Sequence, residues 1–204
     1  EDVLVFWSYM HKIPHLRRHL NEQMKMLSSD EILAKLIKER IHLKDEILEE
    51  VESFKRENFS DFTIGVQVRY TQNRPASMKA CKRAIADALS RHPGATIFLA
   101  TDSEEAQKIL AESFPRVIVT KKWFPTKVGA AMHMGSGCPD KKRLLFEAFI
   151  DLYLLAECDY LIYARSSTFS HCAYLLTKAP KERTVDLDRF DVGYHFRSFV
   201  HFNL

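Results

Sequence analysis

The chain has 204 residues, 46% hydrophobic and 28% charged, which is ordinary composition for a soluble globular protein of one domain plus an appendage. Its net charge of +3 is too small to mark a partner for nucleic acid or an anionic membrane. The apolar runs are too short to span a bilayer, and no charged start followed by a hydrophobic segment reads as a signal peptide.

In chain order, DVLVFW at 2–7 reads as a short strand, either local or the tail of one from a preceding segment. Residues 8–57 read as helical. Ile32, Leu33, Leu36, Ile37, Ile41, Leu48 and Val51 fall close to helical spacing, in one long helix or two shorter ones. Ser28, Ser29 and Asp30 offer an N-cap. The apolar stripe is one-sided, so this segment is expected to cover a core or link to one.

From residue 61 the pattern changes. A strand over 61–69 precedes a helix over 76–91. A strand at 95–100, a helix at 103–113 and a strand at 116–120 follow. A loop over 121–140 leads to a helix at 141–157. A strand at 159–164, a helix at 168–177 and a last strand near 183–187 complete the chain. Strands alternating with helices of this length predict a parallel sheet flanked by helices, an α/β Rossmann-like layer. The domain boundaries predicted are 1–60 for the helical segment and 61–204 for the Rossmann-like domain.

Three strand ends can carry chemistry. In TIGVQVR, residues Thr63, Gly65, Gln67 and Arg69 share one face, because strand side chains alternate. Gly65 lets a neighbour approach that face closely. Arg69 is expected to meet an anion, either a protein carboxylate or a ligand. In FLATDSEEAQ, Asp102 follows a strand, either as the cap of a D-x-x-E box with Glu105 or as a site residue. In YARSSTFSHCAY, the hydroxyl residues Ser166, Ser167 and Thr168 open a helix whose free N–H groups suit an anion, unless they serve only as caps.

On the helix at 141–157, Glu147 and Asp151 share a face with Leu154. Leu145, Ala148, Phe149, Leu152 and Leu155 are expected to form the packed side. Asp151 then lies in solvent or points into a cleft. The Gly-containing stretch 129–139 reads as a lid or a connection. Four cysteines without CxxC, and scattered histidines without HExxH, predict buried thiols in a reducing, cytoplasmic compartment and no metal site. No GxGxxG and no GxxxxGK[ST] occurs, which disfavours dinucleotide and P-loop readings.

Taken together, IGVQVRYTQ, FLATDS and FIDLYLLAECDYLIYARSSTFSHCAY resemble the three ordered motifs of the alpha-1,6-fucosyltransferase family. The likeness is to the bacterial nodulation-type enzymes that fucosylate chito-oligosaccharides. Protein core and O-fucosyltransferases look like more distant relatives. The resemblance covers about residues 60 to 190. It implies the nucleotide-binding half of a GT-B-like glycosyltransferase, inverting and metal-independent, with no cofactor. A GDP-fucose donor and a glycan acceptor are its implied partners, as is a further N-terminal domain of the same protein.

Residue by residue, Arg69 matches an arginine on the donor β-phosphate and Asp102 the acid of the second motif. Asp151 matches a helix carboxylate that reads guanine. Ser167 and Thr168 match polar residues beside the phosphates, with Ser166 in the same turn. Gln67 stands where the family has a histidine near the base. Tyr70 replaces a second arginine, Gln72 an aspartate, and Thr168 a glutamine of some relatives. These departures leave open GDP against UDP and fucose against another sugar. The alternative to an enzyme is a non-catalytic nucleotide-sugar-binding module, or a Rossmann-like domain whose caps and ion pairs are purely structural.

Overall fold

A computed structural model describes residues 21–71, 74–75, 77–125 and 137–189. The strand expected at 2–7, the helical reading of 8–20 and the stretch 129–136 lie outside these residues. The chain divides into two compact units, Glu1–His42 and Leu43–Leu204.

In the first unit, α1 (Glu22–Lys25) is capped by Asn21, and α2 (Ser29–Arg40) by Ser28. Ser28 and Glu31 form a reciprocal capping box. The Glu31 N–H reaches the Ser28 hydroxyl at 3.2 Å, and the Ser28 N–H reaches the Glu31 carboxylate at 2.7 Å. Two orphan donors at the helix start are thereby satisfied.

The second unit opens with α3 (Asp45–Asn58), so the long helical stretch is two helices. Then come β1 (Thr63–Val68), a small antiparallel ribbon of β2 (Tyr70–Thr71) and β3 (Arg74–Pro75), and α4 (Met78–Arg91). The ribbon was not legible from the sequence. Next are β4 (Thr96–Thr101), α5 (Glu104–Ser113), β5 (Val117–Ile118), α6 (Lys141–Glu157), β6 (Tyr160–Tyr163), α7 (Thr168–Leu176) and β7 (Thr184–Asp186).

Five strands pair in parallel in the order β5-β4-β1-β6-β7. The chain builds outward from β1 to β5 on one side, then returns to build β6 and β7 on the other. This is the Rossmann-like arrangement predicted. Every residue of β1 is buried, as a central parallel strand covered on both faces requires.

On one face Ile64, Val66, Val68, Ile97, Leu99 and Ile162 pack with Cys81 and Ile85 of α4 and Leu110 of α5. On the other, Phe98, Leu161 and Tyr163 pack with Ile47 and Val51 of α3, Leu154 of α6 and Ala173 of α7. Phe98 meets Phe54 and Phe59 with ring centroids 5.7 and 5.9 Å apart. Gly65 lies on this second face beneath the end of α6. A Cβ there would sit 2.9 Å from Cys158 Sγ and 3.0 Å from Cys158 Cβ. The close neighbour the sequence called for is therefore α6 itself.

The buried side of α6 differs from the one expected. Glu147 and Asp151 are buried with Ile150, Leu154 and Leu155, whereas Leu145 is 55% exposed and Ala148 faces solvent. LLFEAFIDLYLLAE is apolar nearly all round, so its periodicity does not choose a face. Polar partners within the fold decide it instead.

Candidate functional site

All five strands of the sheet run the same way, so the segments that follow them gather at one edge. These are Arg69 after β1, Asp102 after β4, Thr120 and Lys122 after β5, Arg165–Thr168 after β6 and Asp188 after β7. The strand order reverses between β1 and β6, which makes the crevice outside their carboxyl ends the ligand position of such sheets. Arg69 and the 165–168 turn flank that crevice.

Arg69 is half-buried, and its Nε is buried with no hydrogen-bond partner among the described residues. No ion pair among the described residues involves it. A buried guanidinium N–H without an acceptor costs free energy until an anion supplies one. Asp102 is half-buried and does not cap α5. Ser103 does, accepting from the Ala106 N–H at 3.3 Å. The Asp102 carboxylate instead accepts the Tyr70 N–H at 2.8 Å, which fixes the backbone next to Arg69. The capping-box reading placed the cap one residue early, because Asp and Ser are equally good caps in sequence.

Gln67 is buried, and its carbonyl accepts the hydroxyl of Ser170 on α7, so this side chain ties β1 to α7. Ser170 in turn accepts the Ala164 N–H at 3.2 Å. Of the three hydroxyl residues, Ser167 is the N-cap of α7 and is buried, while Ser166 and Thr168 are exposed. Two carboxylates that the sequence reading overlooked hold this turn. Asp186 accepts the Arg165 N–H at 3.1 Å and the Asp188 N–H at 3.0 Å, and Asp188 accepts the Ser166 N–H at 2.7 Å. Their signal was TVDLDR, two acids two residues apart at the end of a strand.

Asp151 is buried beside the end of β5 instead of lying in solvent. Thr120 donates its hydroxyl to Oδ1 at 2.6 Å, and the ammonium of Lys122 pairs with Oδ2. Lys122 was read only as part of a loop, yet its side chain is 2% exposed. One turn earlier, Glu147 accepts the Trp123 N–H at 3.1 Å and Arg143 Nε at 3.3 Å. Arg143 also forms a two-pronged pair with Glu50 of α3 at 2.6 and 2.9 Å, which lowers the Glu50 carboxyl below its ordinary range.

Among the described residues, no group of three or more His, Cys, Asp or Glu is placed to hold a metal ion. None of the described helices is long and apolar enough to cross a membrane. All four cysteines are free.

The fold is that of a Rossmann-like α/β domain, with a guanidinium N–H unpartnered among the described residues at its strand-order reversal. The model of the Nodulation protein Z (NodZ) family matches residues 20–198, and the chain belongs to that family. No curated protein sequence matches it.

Among solved structures, the chain is similar to NodZ alpha-1,6-fucosyltransferase co-crystallised with GDP. The identity is 25% and the TM-score 0.51, covering 79% of this chain and 49% of that one. It is similar in fold to selenomethionine-labelled fucosyltransferase NodZ from Bradyrhizobium. There the identity is 24% and the TM-score 0.50, covering 79% and 49%. It is also similar in fold to POFUT1 in complex with GDP, at 12% identity and a TM-score of 0.50, covering 71% and 46%. The chain thus spans about half the length of the structures it matches.

Proposed function

We propose that this chain is the donor-binding half of an inverting glycosyltransferase that moves fucose from GDP-fucose to a glycan acceptor. The observation that carries the reading is Arg69, a buried guanidinium N–H without an acceptor among the described residues, at the strand-order reversal of a NodZ-family domain. The NodZ structure co-crystallised with GDP supports a guanine nucleotide as the ligand.

Arg69 clamps the donor diphosphate through its planar donors. The exposed hydroxyls of Ser166 and Thr168 line the same crevice, with Ser167 holding the start of α7. Asp102 fixes the backbone beside Arg69, Gln67 braces the turn through Ser170, and Asp151 reads the guanine edge. In the reaction, an acceptor hydroxyl oxygen bonds to the anomeric carbon while the bond from that carbon to the β-phosphate oxygen breaks. The electron pair leaves with GDP, and the acceptor proton is released. Negative charge grows on the departing phosphate, so a fixed cation there favours the transition state over the ground state.

The chemistry uses no resident metal, the phosphate charge being met by Arg69. The family's further N-terminal half and the glycan are the partners. Four free thiols support a reducing, cytoplasmic location.

Calorimetric titration with GDP, with UDP and ADP as controls, tests the reading. Micromolar GDP binding is expected, abolished in Arg69→Ala while the melting temperature holds. Transfer by the complete enzyme should fall by ~10² to 10³ in that variant. An Arg69→Ala protein that binds GDP or transfers fucose normally would overturn the assignment. A binding module without catalysis is the second reading, favoured by the span of about half of the matched structures. It is distinguished by GDP binding without transfer to any glycan.

A further inference from the structure

Gln67 stands two residues before Arg69 on the same face of β1 and is only 5% exposed. A primary amide has one oxygen that accepts and two N–H groups that donate. Among the described residues only the oxygen is matched, by the hydroxyl of Ser170. Which end of the amide meets that hydroxyl follows from Ser170 itself. A hydroxyl has a single hydrogen to give. The Ser170 oxygen already accepts the Ala164 N–H at 3.2 Å, and its hydrogen goes to Gln67 Oε1. Ser170 is fully buried on α7, and its own N–H is held by the Ser167 hydroxyl at 3.5 Å, so its position is fixed. The oxygen end of the amide is therefore turned to α7 and the Nε2 end away from it.

Nε2 meets no acceptor among the described residues. The fully enclosed polar side-chain atoms that lack a partner among them are Thr63 Oγ1, Arg69 Nε and Gln107 Oε1. Gln67 Nε2 is not one of these, so the small exposed part of Gln67 includes this atom. Gln67 is the last residue but one of β1, whose end borders the crevice between β1 and β6. Two unmatched donor groups thus stand on one face of one strand end, an amide at 67 and a guanidinium at 69. They are ~7 Å apart along the strand, a gap that two long side chains close on neighbouring acceptors. A single anionic group matches one of them, whereas two linked phosphates match both.

We infer that Gln67 Nε2 is a second donor to the diphosphate, beside Arg69, and that Ser170 is the positioning residue that keeps the amide turned that way. The inference rests on the donor-site reading above and adds a contact to it. Without the Ser170 hydroxyl, no described residue distinguishes the two ends of the amide. Its oxygen is then free to turn to the crevice, where it repels phosphate oxygens.

The test is the ratio of GDP to guanosine affinity, measured by calorimetry on the whole 204-residue chain. Both ligands carry the same base and ribose, so the ratio reports the phosphates alone. A role in stability alone leaves it untouched. Gln67→Glu keeps the acceptor for Ser170 and the shape of the side chain, but sets an anionic oxygen where the donor was. The ratio should fall by about tenfold or more, the worth of a hydrogen bond to a charged group. Ser170→Ala should lower it several-fold, while Ser170→Thr, which keeps a hydroxyl, should hold it near the native value. Should the buried carboxylate of Gln67→Glu prevent folding, Gln67→Met keeps the bulk, removes the donor and carries the same test.

A folded Gln67→Glu, Gln67→Met or Ser170→Ala protein that keeps the native ratio would overturn the inference and leave the donor site standing. Native chain that binds GDP no more tightly than guanosine, or binds neither, would overturn the diphosphate site itself and the inference with it.

Discussion

At the scale of single residues, several polar side chains near the strand ends are held in closed pairs, while the Arg69 Nε–H has no acceptor among the described residues. The Gln67 carbonyl is closed by Ser170, Asp102 by the Tyr70 N–H, and Asp151 by Thr120 and Lys122. Arg69 Nε is open. On the proposed reading, the closed pairs position and the unpartnered donor binds. Gly65 shows the same economy of space. Its missing side chain lets Cys158 lie against β1, and a methyl group would approach Cys158 Sγ to 2.9 Å. Gly65→Ala is expected to destabilise the domain by about 1–3 kcal/mol, the usual cost of overpacking. Urea unfolding measures it, and an unchanged midpoint would mean that α6 shifts without cost. Cys158 itself is chemically quiet, because burial pushes its thiol well above its ordinary value.

At the scale of elements, the turn from β6 into α7 is held by the strand that follows it. Asp186 and Asp188 take the N–H groups of Arg165, Ser166 and Asp188, and the Leu187 N–H reaches the Tyr163 carbonyl at 2.7 Å. Those two N–H groups of the turn are thus spent within the protein. On the proposed reading, ligand contacts there fall to the exposed hydroxyls and to Arg69 across the crevice. Asp186→Ala leaves two N–H groups without acceptors and should cost about 1–3 kcal/mol. Asp186→Asn keeps an acceptor oxygen and should cost less. The two variants compared by thermal unfolding decide this, and equal losses would assign the effect to charge instead of the hydrogen bonds.

At the scale of the whole second unit, a charged junction ties its helices together. Glu157 at the end of α6 accepts Lys55 of α3 at 2.8 Å and Lys178 beyond α7 at 2.7 Å. Burial pushes the Glu157 carboxyl up, but those hydrogen bonds outweigh it and leave it below its ordinary value. A carboxyl depressed in the folded state adds stability above its unfolded value. That stability is lost as pH falls through the usual carboxylate range and on through the folded value. The melting temperature should therefore drop over that acid window, and less steeply in Glu157→Gln. A variant with the native slope would show that other carboxylates carry the acid sensitivity.

How much of this the sequence determined follows from the range of each interaction. Hydrophobic alternation and helix length are local, so the alternation of strands and helices over 61–187, the parallel sheet and the strand-end positions of Arg69, Asp102 and Ser166–Thr168 were legible. So was the family likeness, which the three motifs carry in order. Caps are local too, but the choice between Asp102 and Ser103 turns on backbone geometry that neighbouring acceptors share. Only the tertiary structure could decide that Asp151 and Glu147 face inward, that Lys122 and Thr120 close upon Asp151, and that Asp186 and Asp188 hold the turn before α7. Each of these pairs joins residues some 20 to 30 positions apart. An amphipathic pattern cannot reveal a buried charge whose partner lies on another element, because its burial is favourable only once that partner has arrived.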